Sequence, residues 1–384
     1  MSNRRFINPP DAGPTHGRYS KAVVSGNRVF MAGQVPVDMG GHVSGAGDIE
    51  IQTSQTLRNV GRVLEESGAS FGDMTMTRVY PASVAWRNQI GDARRAAGLA
   101  SATSTLAVIE SLANPSLLLE ISGIAHIGGE RSTFSPDTVH ETPGTYTHGV
   151  QVDDTLYIAG QIALDPDGNV VGKGDAEAQA DQAVLNLLRV LEAAGGSPDD
   201  IVYTCLYITH PSYVDAIRTA RRKYGLTGCP NTLIVVPSLA TADFLVEIEA
   251  IVVLGTEKTV IKPPDVHSVS GRYEHAVVAG DTVYMAGQIA LDPDGNLVGL
   301  GDSEAQARQL YHNMERVLAA AGGTLDDIVS ATVYMTNLQH REGHNKVRGE
   351  IGLTTPANTS VVISALAQPE FLLEVEAIAV LGDR

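Results

Sequence analysis

The sequence predicts three tandem domains of one α+β type, and three observations carry that prediction. The first is an internal repeat of domain length. The segment AGQIALDPDG begins at Ala159 and again at Ala286, and a looser copy, AGQVPVDMGG, begins at Ala32. Gly33, Gly160 and Gly287 are therefore 127 residues apart. The same spacing joins Tyr19, Tyr146 and Tyr273; Gln52, Gln179 and Gln306; Asn59, Asn186 and Asn313; Arg62, Arg189 and Arg316; Tyr80, Tyr207 and Tyr334; and Glu120, Glu247 and Glu374. Constant spacing leaves no net insertion between copies, and a unit this long is a whole domain, not a solenoid turn. The domains are placed at 1–127, 128–254 and 255–384. The second observation is an element order of ββαβαββ in each copy. The third is that the strands are apolar on both faces. Two helices cover one face of such a sheet, so the other must meet something else.

The elements are justified most clearly in copy two. Residues 149–152 and 155–159 flank Asp153-Asp154, a two-residue hairpin turn that becomes Gly26-Asn27 and Gly280-Asp281 in the other copies. Asp-Pro-Asp-Gly at 165–168 is turn chemistry. Residues 175–194 place Ala183, Leu187, Val190 and Leu191 at helical spacing and stop at Gly195-Gly196. Residues 201–209, β-branched and aromatic, read as a strand. Residues 214–224 form a second helix ending at Gly225, and strands at 232–236 and 244–254 close the unit.

Composition bounds the function. Of 384 residues, 43% are hydrophobic and 18% charged, as in a globular protein with a full core. No apolar run reaches the roughly eighteen residues that a membrane helix needs. The basic start has no apolar stretch behind it, so no signal peptide and a cytoplasmic location are expected. A net charge of −17 argues against nucleic acid as a partner. Cys205 and Cys229 have neither disulfide-framework nor metal-ligand spacing. No metal or cofactor is expected, and the expected partner is a small-molecule ligand.

Several stretches resemble the reactive-intermediate deaminase (Rid, YjgF-like) family. They are the opening tyrosine, the AGQI turn, the EAQ helix start, the AAGG junction with its following Asp-Asp-Ile-Val, and the closing LVEIEAI at 245–251. The resemblance covers the chain three times, closely in copies two and three and more loosely in copy one. It implies a chorismate-mutase-like fold, a homotrimeric arrangement with ligand clefts between neighbours, and deamination of imines or enamines. Three fused copies then imply a monomer folded as an intramolecular pseudo-trimer. The connectors 128–145 and 255–272 have about eighteen residues each and reach roughly 60 Å when extended, enough to step between subunit positions.

The resemblance also points to site residues. The family's arginine that grips a substrate carboxylate falls on Thr105, Thr232 and Thr359. Threonine offers a hydroxyl for a ligand but no charge, so a substrate without the usual carboxylate is expected. Glu120, Glu247 and Glu374 match the cleft glutamate, an acid–base group if burial raises its pKa and a solvent-facing edge residue otherwise. Tyr19, Tyr146 and Tyr273 match the family tyrosine that lines the cleft from the other side, and a purely structural tyrosine is the alternative. Gly33, Gly160 and Gly287 read as close backbone packing, and in the family this loop lies beside the ligand.

His148 and His275, replaced by Lys21 in copy one, read either as an acid–base pair or as surface histidines. Arg94, Arg221 and Arg348 recur on the second helix, either as surface ion pairs or as a new source of positive charge. One turn before them stand Gly91, Arg218 and Asn345, of which Asn345 alone keeps the family residue. Glu249 and Glu376 become Ser122 in copy one, so the clefts differ. The cleft between copies two and three is expected to be the family-like one. The rival is a recruited copy one, bringing Lys21, Trp86 and Glu110. An enzyme and a non-catalytic binding or scaffolding protein both fit; the ribonuclease activity attributed to the family fits poorly with the acidic charge.

Overall fold

The computed structural model describes residues 4–269 and 271–382. Ser270 in the second connector and the chain ends, including the start of the basic segment, lie outside the described residues. Copy one contains β1 (Arg5–Ile7), β2 (Ala22–Ser25), β3 (Arg28–Gln34), α1 (Ile49–Ser67), β4 (Met74–Pro81), α2 (Arg87–Ala96), β5 (Thr103–Leu106) and β6 (Leu119–His126). Copy two contains β7 (Arg131–Phe134), β8 (Gly149–Val152), β9 (Thr155–Ile162), α3 (Ala176–Ala193), β10 (Ile201–Ile208), α4 (Val214–Lys223), β11 (Asn231–Val235) and β12 (Val246–Val253). Copy three contains β13 (Lys258–Ile261), β14 (Ala276–Ala279), β15 (Thr282–Gln288), α5 (Ser303–Ala320), β16 (Ile328–Met335), α6 (His340–Glu350), β17 (Ala357–Val362) and β18 (Leu373–Val380).

Each copy is one six-stranded sheet, ordered β1-β2-β3-β6-β4-β5 in copy one and equivalently in the others. Neighbours are antiparallel except the parallel pairs β4–β5, β10–β11 and β16–β17. The edge strands β7 and β13 were read as connector. They are short and only partly buried, so no clear apolar alternation marks them, and antiparallel pairing with β8 and β14 makes them strands. The hairpin turns form where expected, with Asp153 at φ 54 taking the left-handed place of Gly26 and Gly280 at φ 59.

The repeated polar residues hold the fold together. Asp48, Asp175 and Asp302 cap the long helices by accepting two backbone N–H groups each. Asn59, Asn186 and Asn313 donate to carbonyls of the segment after the AGQ turn, such as Val35 and Val37 in copy one.

Helices pack on one face of each sheet in three separate cores. The opposite faces meet in a shared core that takes Phe30, Tyr80, Tyr157, Tyr207, Tyr284 and Tyr334 from all three copies. Backbone bridges close the ring: Val108 to Ser238, Val235 to Ala365, and Val362 to Ser111. Each pair is the previous one advanced by one repeat, so the copies are related by a pseudo-threefold axis.

That axis is not symmetric in chemistry. Arg78 of β4 is buried between Glu249 of β12 and Glu376 of β18, with its Nε 2.6 Å from Glu249 Oε1. Tyr207 OH donates to Glu249 at 3.3 Å, and Tyr203 OH hydrogen-bonds both Glu376 and, at 2.7 Å, Thr232. Ser122 and Arg78 in copy one thus complement the two glutamates of copies two and three. Breaking a buried pair by removing one partner costs about 3–5 kcal/mol because the remaining charge stays desolvated. Arg78→Met is expected to lower the denaturant midpoint by that order, and adding Glu249→Gln and Glu376→Gln is expected to recover much of the loss.

Candidate functional site at the seams between copies

Three clefts lie at the seams, built alike. One copy contributes the tyrosine, the AGQ glycine and the glutamate, and the preceding copy around the ring contributes its second helix and penultimate strand. Copies three and one join Arg341, Arg348 and Ser360 to Tyr19, Gly33 and Glu120 around a cavity of about 310 Å³. Copies one and two join Arg87, Arg94 and Ser104 to Tyr146, Gly160 and Glu247 around about 490 Å³. Copies two and three join Arg218, Arg221 and Asn231 to Tyr273, Gly287 and Glu374 around about 70 Å³.

The glutamates are seated by the glycines. A Cβ at Gly33 would lie 1.6 Å from Glu120 Oε1, and one at Gly160 or Gly287 would lie 1.8 Å from the matching oxygen of Glu247 or Glu374. The register shifts at this point of β3, β9 and β15, so the bulged strand lets the carboxyl lie over backbone. All three glutamates are buried. Burial pushes Glu120 up to about 8, against the backbone N–H of Ser360 and the charges of Lys21 and Arg341. Burial, with Glu376 nearby, also pushes Glu374 up to about 8, and Glu247 rises well above the carboxylate range. Burial thus shifts all three carboxyls toward their neutral, protonated form. Burial raises Tyr19 to about 12 and Tyr146 and Tyr273 further, so the tyrosines remain hydroxyls.

The opposite wall is cationic. Arg94, Arg221 and Arg348 are buried, and none pairs with a carboxylate among the described residues. Arg94 donates to Thr77 Oγ1 at 2.8 Å, and Arg221 donates to Asn231 Oδ1 at 3.0 Å and to the Leu226 carbonyl at 2.6 Å. Nε and Nη2 of Arg348 have no hydrogen-bond partner among the described residues. Burial lowers Arg94 to about 10, still charged at neutral pH. Arg87 and Arg341, seven residues before Arg94 and Arg348 and so on the same helix face, line the same clefts. This pattern was present in the sequence and went unread.

Other expected residues sit elsewhere. Ser104 and Leu106 face the cleft between copies one and two, and strand alternation turns Thr105 away from it. The Thr105 hydroxyl accepts the Gly160 N–H at 3.0 Å and donates to Glu249. Thr232 accepts from Gly287 at 3.1 Å and Thr359 from Gly33 at 2.9 Å. The threonines brace the glycine turns from behind and are not on the cleft walls. His148 and His275 stand just before their strands, and their rings meet those of Tyr146 and Tyr273 edge-on, with centroids 5.7 and 6.3 Å apart. His148 is buried, with Nε2 2.8 Å from the His140 carbonyl and Nδ1 3.2 Å from Gln161 Nε2, and burial holds its pKa down. His275 bonds the His267 carbonyl at 2.7 Å in the same way. Glu249 and Glu376 belong to the axis, and neither Trp86 nor the exposed Glu110 lines a cleft. The expectation that the seam between copies two and three is the best site meets the smallest cavity of the three.

The family model described as endoribonuclease L-PSP matches residues 10–127, 138–254 and 265–381. The chain belongs to the endoribonuclease L-PSP family. A RutC family protein of Pyrococcus horikoshii is 37% identical over 110 residues, 28% of this chain and 86% of that protein. A protein of unknown function of the conserved Rid family from Yersinia pestis is 36% identical, covering 33% of this chain and 100% of its own, with a TM-score of 0.31. A chorismatase structure covers 80% of this chain and 93% of its own at 11% identity and a TM-score of 0.52, a likeness of fold alone. No helix among the described residues is long and apolar enough to cross a membrane.

Two outcomes follow for the L-PSP glutamate seats. Gly160→Ala is expected to displace Glu247 and lower stability by about 1–3 kcal/mol, the usual cost of overpacking, read as a denaturant midpoint. Carboxyls raised from about 4.3 unfolded to about 8 folded bind extra protons in the native state between those values, so their contribution to stability declines as pH rises through that window. Glu120→Gln and Glu374→Gln are expected to flatten the fall in melting temperature between pH 5 and pH 9.

Proposed function

We propose that this chain is a small-molecule enzyme that hydrolyses an imine or enamine at the seams between its copies, working as a monomeric pseudo-trimer. The observation that carries this reading is the pairing, in every cleft, of a buried glutamate, its carboxyl shifted toward the neutral form, on one wall with a carboxylate-free arginine on the other. The cation missing from the threonine positions is supplied by the second helix, which supports an anionic substrate and not one lacking a carboxylate. In this reading the glutamic acid gives its proton to the imine nitrogen as water adds to the carbon. The resulting carboxylate takes a proton from the added water, and C–N cleavage releases ammonia and leaves a carbonyl. The tyrosine hydroxyl orients the reacting group, and the arginine holds the anionic end.

Ammonia release from an imine made in situ from an amino acid tests the reading. Glu247→Gln together with Glu120→Gln is expected to reduce turnover by about 10²–10⁴-fold, the usual worth of a general acid. Unchanged rates would sink the proposal. Arg94→Met and Arg348→Met are expected mainly to raise KM for a carboxylate-bearing substrate. Sedimentation is expected to give the mass of one chain. The threonines at the family's arginine positions favour a second reading, binding without turnover, which predicts ligand binding and no ammonia release.

A further inference from the structure

The three cavities differ about sevenfold in volume although their glutamate, tyrosine, glycine and arginine are shared, from about 490 Å³ to about 70 Å³. Two facing positions track the difference. On the second helix the position holds Gly91, Asn345 or Arg218; on the segment before the hairpin it holds Thr145, Arg18 or Arg272. They face one another: a Cβ on Gly91 would lie 3.4 Å from Thr145 Cγ2. Arg218 likewise lies near Arg272, whose like charge helps lower its pKa after burial itself. The largest cavity has Gly91 with Thr145, the intermediate one Asn345 with Arg18, and the smallest Arg218 with Arg272.

A void of about 70 Å³ holds roughly two waters, whereas ligand sites run from about 300 Å³ upward. We infer that this facing pair determines which seams admit an anionic ligand, so that the chain binds two equivalents, both at clefts lined by copy one, while Arg218 and Arg272 close the third. The inference rests on the anion-binding part of the proposed function and is independent of the glutamate's role. In the open clefts Arg87 with Arg94, and Arg341 with Arg348, are free of carboxylate partners among the described residues and supply the charge. Arg95, also on the wall between copies one and two, is already paired with Asp92.

Calorimetric titration of the full chain with phthalate, a rigid dicarboxylate, counts the open clefts. The parent chain is expected to bind two equivalents, Arg218→Asn with Arg272→Thr three, and Gly91→Arg one. Circular dichroism establishes that each variant is folded, and the Gly91→Arg chain supplies an independent count if the double variant is not. Three equivalents in the parent chain would overturn the inference while leaving glutamate-dependent turnover standing. So would two equivalents in both folded variants. Absence of phthalate binding in every chain overturns it together with the anionic-substrate reading, and loss of glutamate dependence with the two-to-three change intact overturns only the catalytic reading.

Discussion

Burial of the second face of each sheet is the constraint on which the rest of this structure depends. Helices cover one face, and the other carries Phe30, Tyr157 and Tyr284 among many apolar residues that water would penalise. No segment of the same copy is available to cover it, so each copy covers its neighbours. A ring of three satisfies all three faces at once, and the seams of that ring are the clefts. The candidate chemistry is thus a by-product of how the fold solves its burial problem. Glutamate and glycine come from one copy and arginine from the copy before it around the ring, so no copy contains a whole site.

Fusion into one chain allows the ring to be unequal, and the inequality shows first on the axis. A symmetric trimer of copy two would place three glutamates at the position of Glu249 around one axis with no cation among them. Here copy one supplies Arg78 and removes the third carboxylate as Ser122, so two acids meet one base. A buried charge without a partner is costly, and these substitutions make sense only together. The divergence of copy one therefore reflects complementarity in the core as much as change at the clefts, where recruitment to a new reaction was the rival expectation. The Thr105 hydroxyl joins the two regions, accepting from Gly160 at a cleft and donating to Glu249 at the axis.

Much of this was legible because it rests on local or repeated signals. The constant spacing of Gly33, Gly160 and Gly287 identified three domains, and the apolar periodicity of 175–194 and the run at 244–254 located a helix and a strand that the structure contains. Glu120, Glu247 and Glu374 were assigned to the clefts by resemblance, and the structure places them on the cleft walls. The strands β7 and β13 were not legible, since a short, half-buried edge strand is specified by backbone pairing more than by side-chain pattern. His148 does lie beside Tyr146, but the His140 carbonyl that holds it belongs to the connector, where no periodic pattern announces a partner.

The sequence by itself determined the number of domains, the order of their central elements and the need for a shared apolar core, because periodicity and repetition are one-dimensional properties. Only the tertiary structure decided which polar residues share a site. Whether Arg94 is a surface ion pair or a cleft cation depends on what the next copy brings against it, from residues more than fifty positions away. Whether Glu249 faces a ligand or Arg78 depends on which side of the sheet meets the axis. Arg218 and Arg272, which line the smallest seam, lie on different copies and meet only when the ring closes. Contacts across the ring are set by packing between copies, and no local pattern in the chain encodes them.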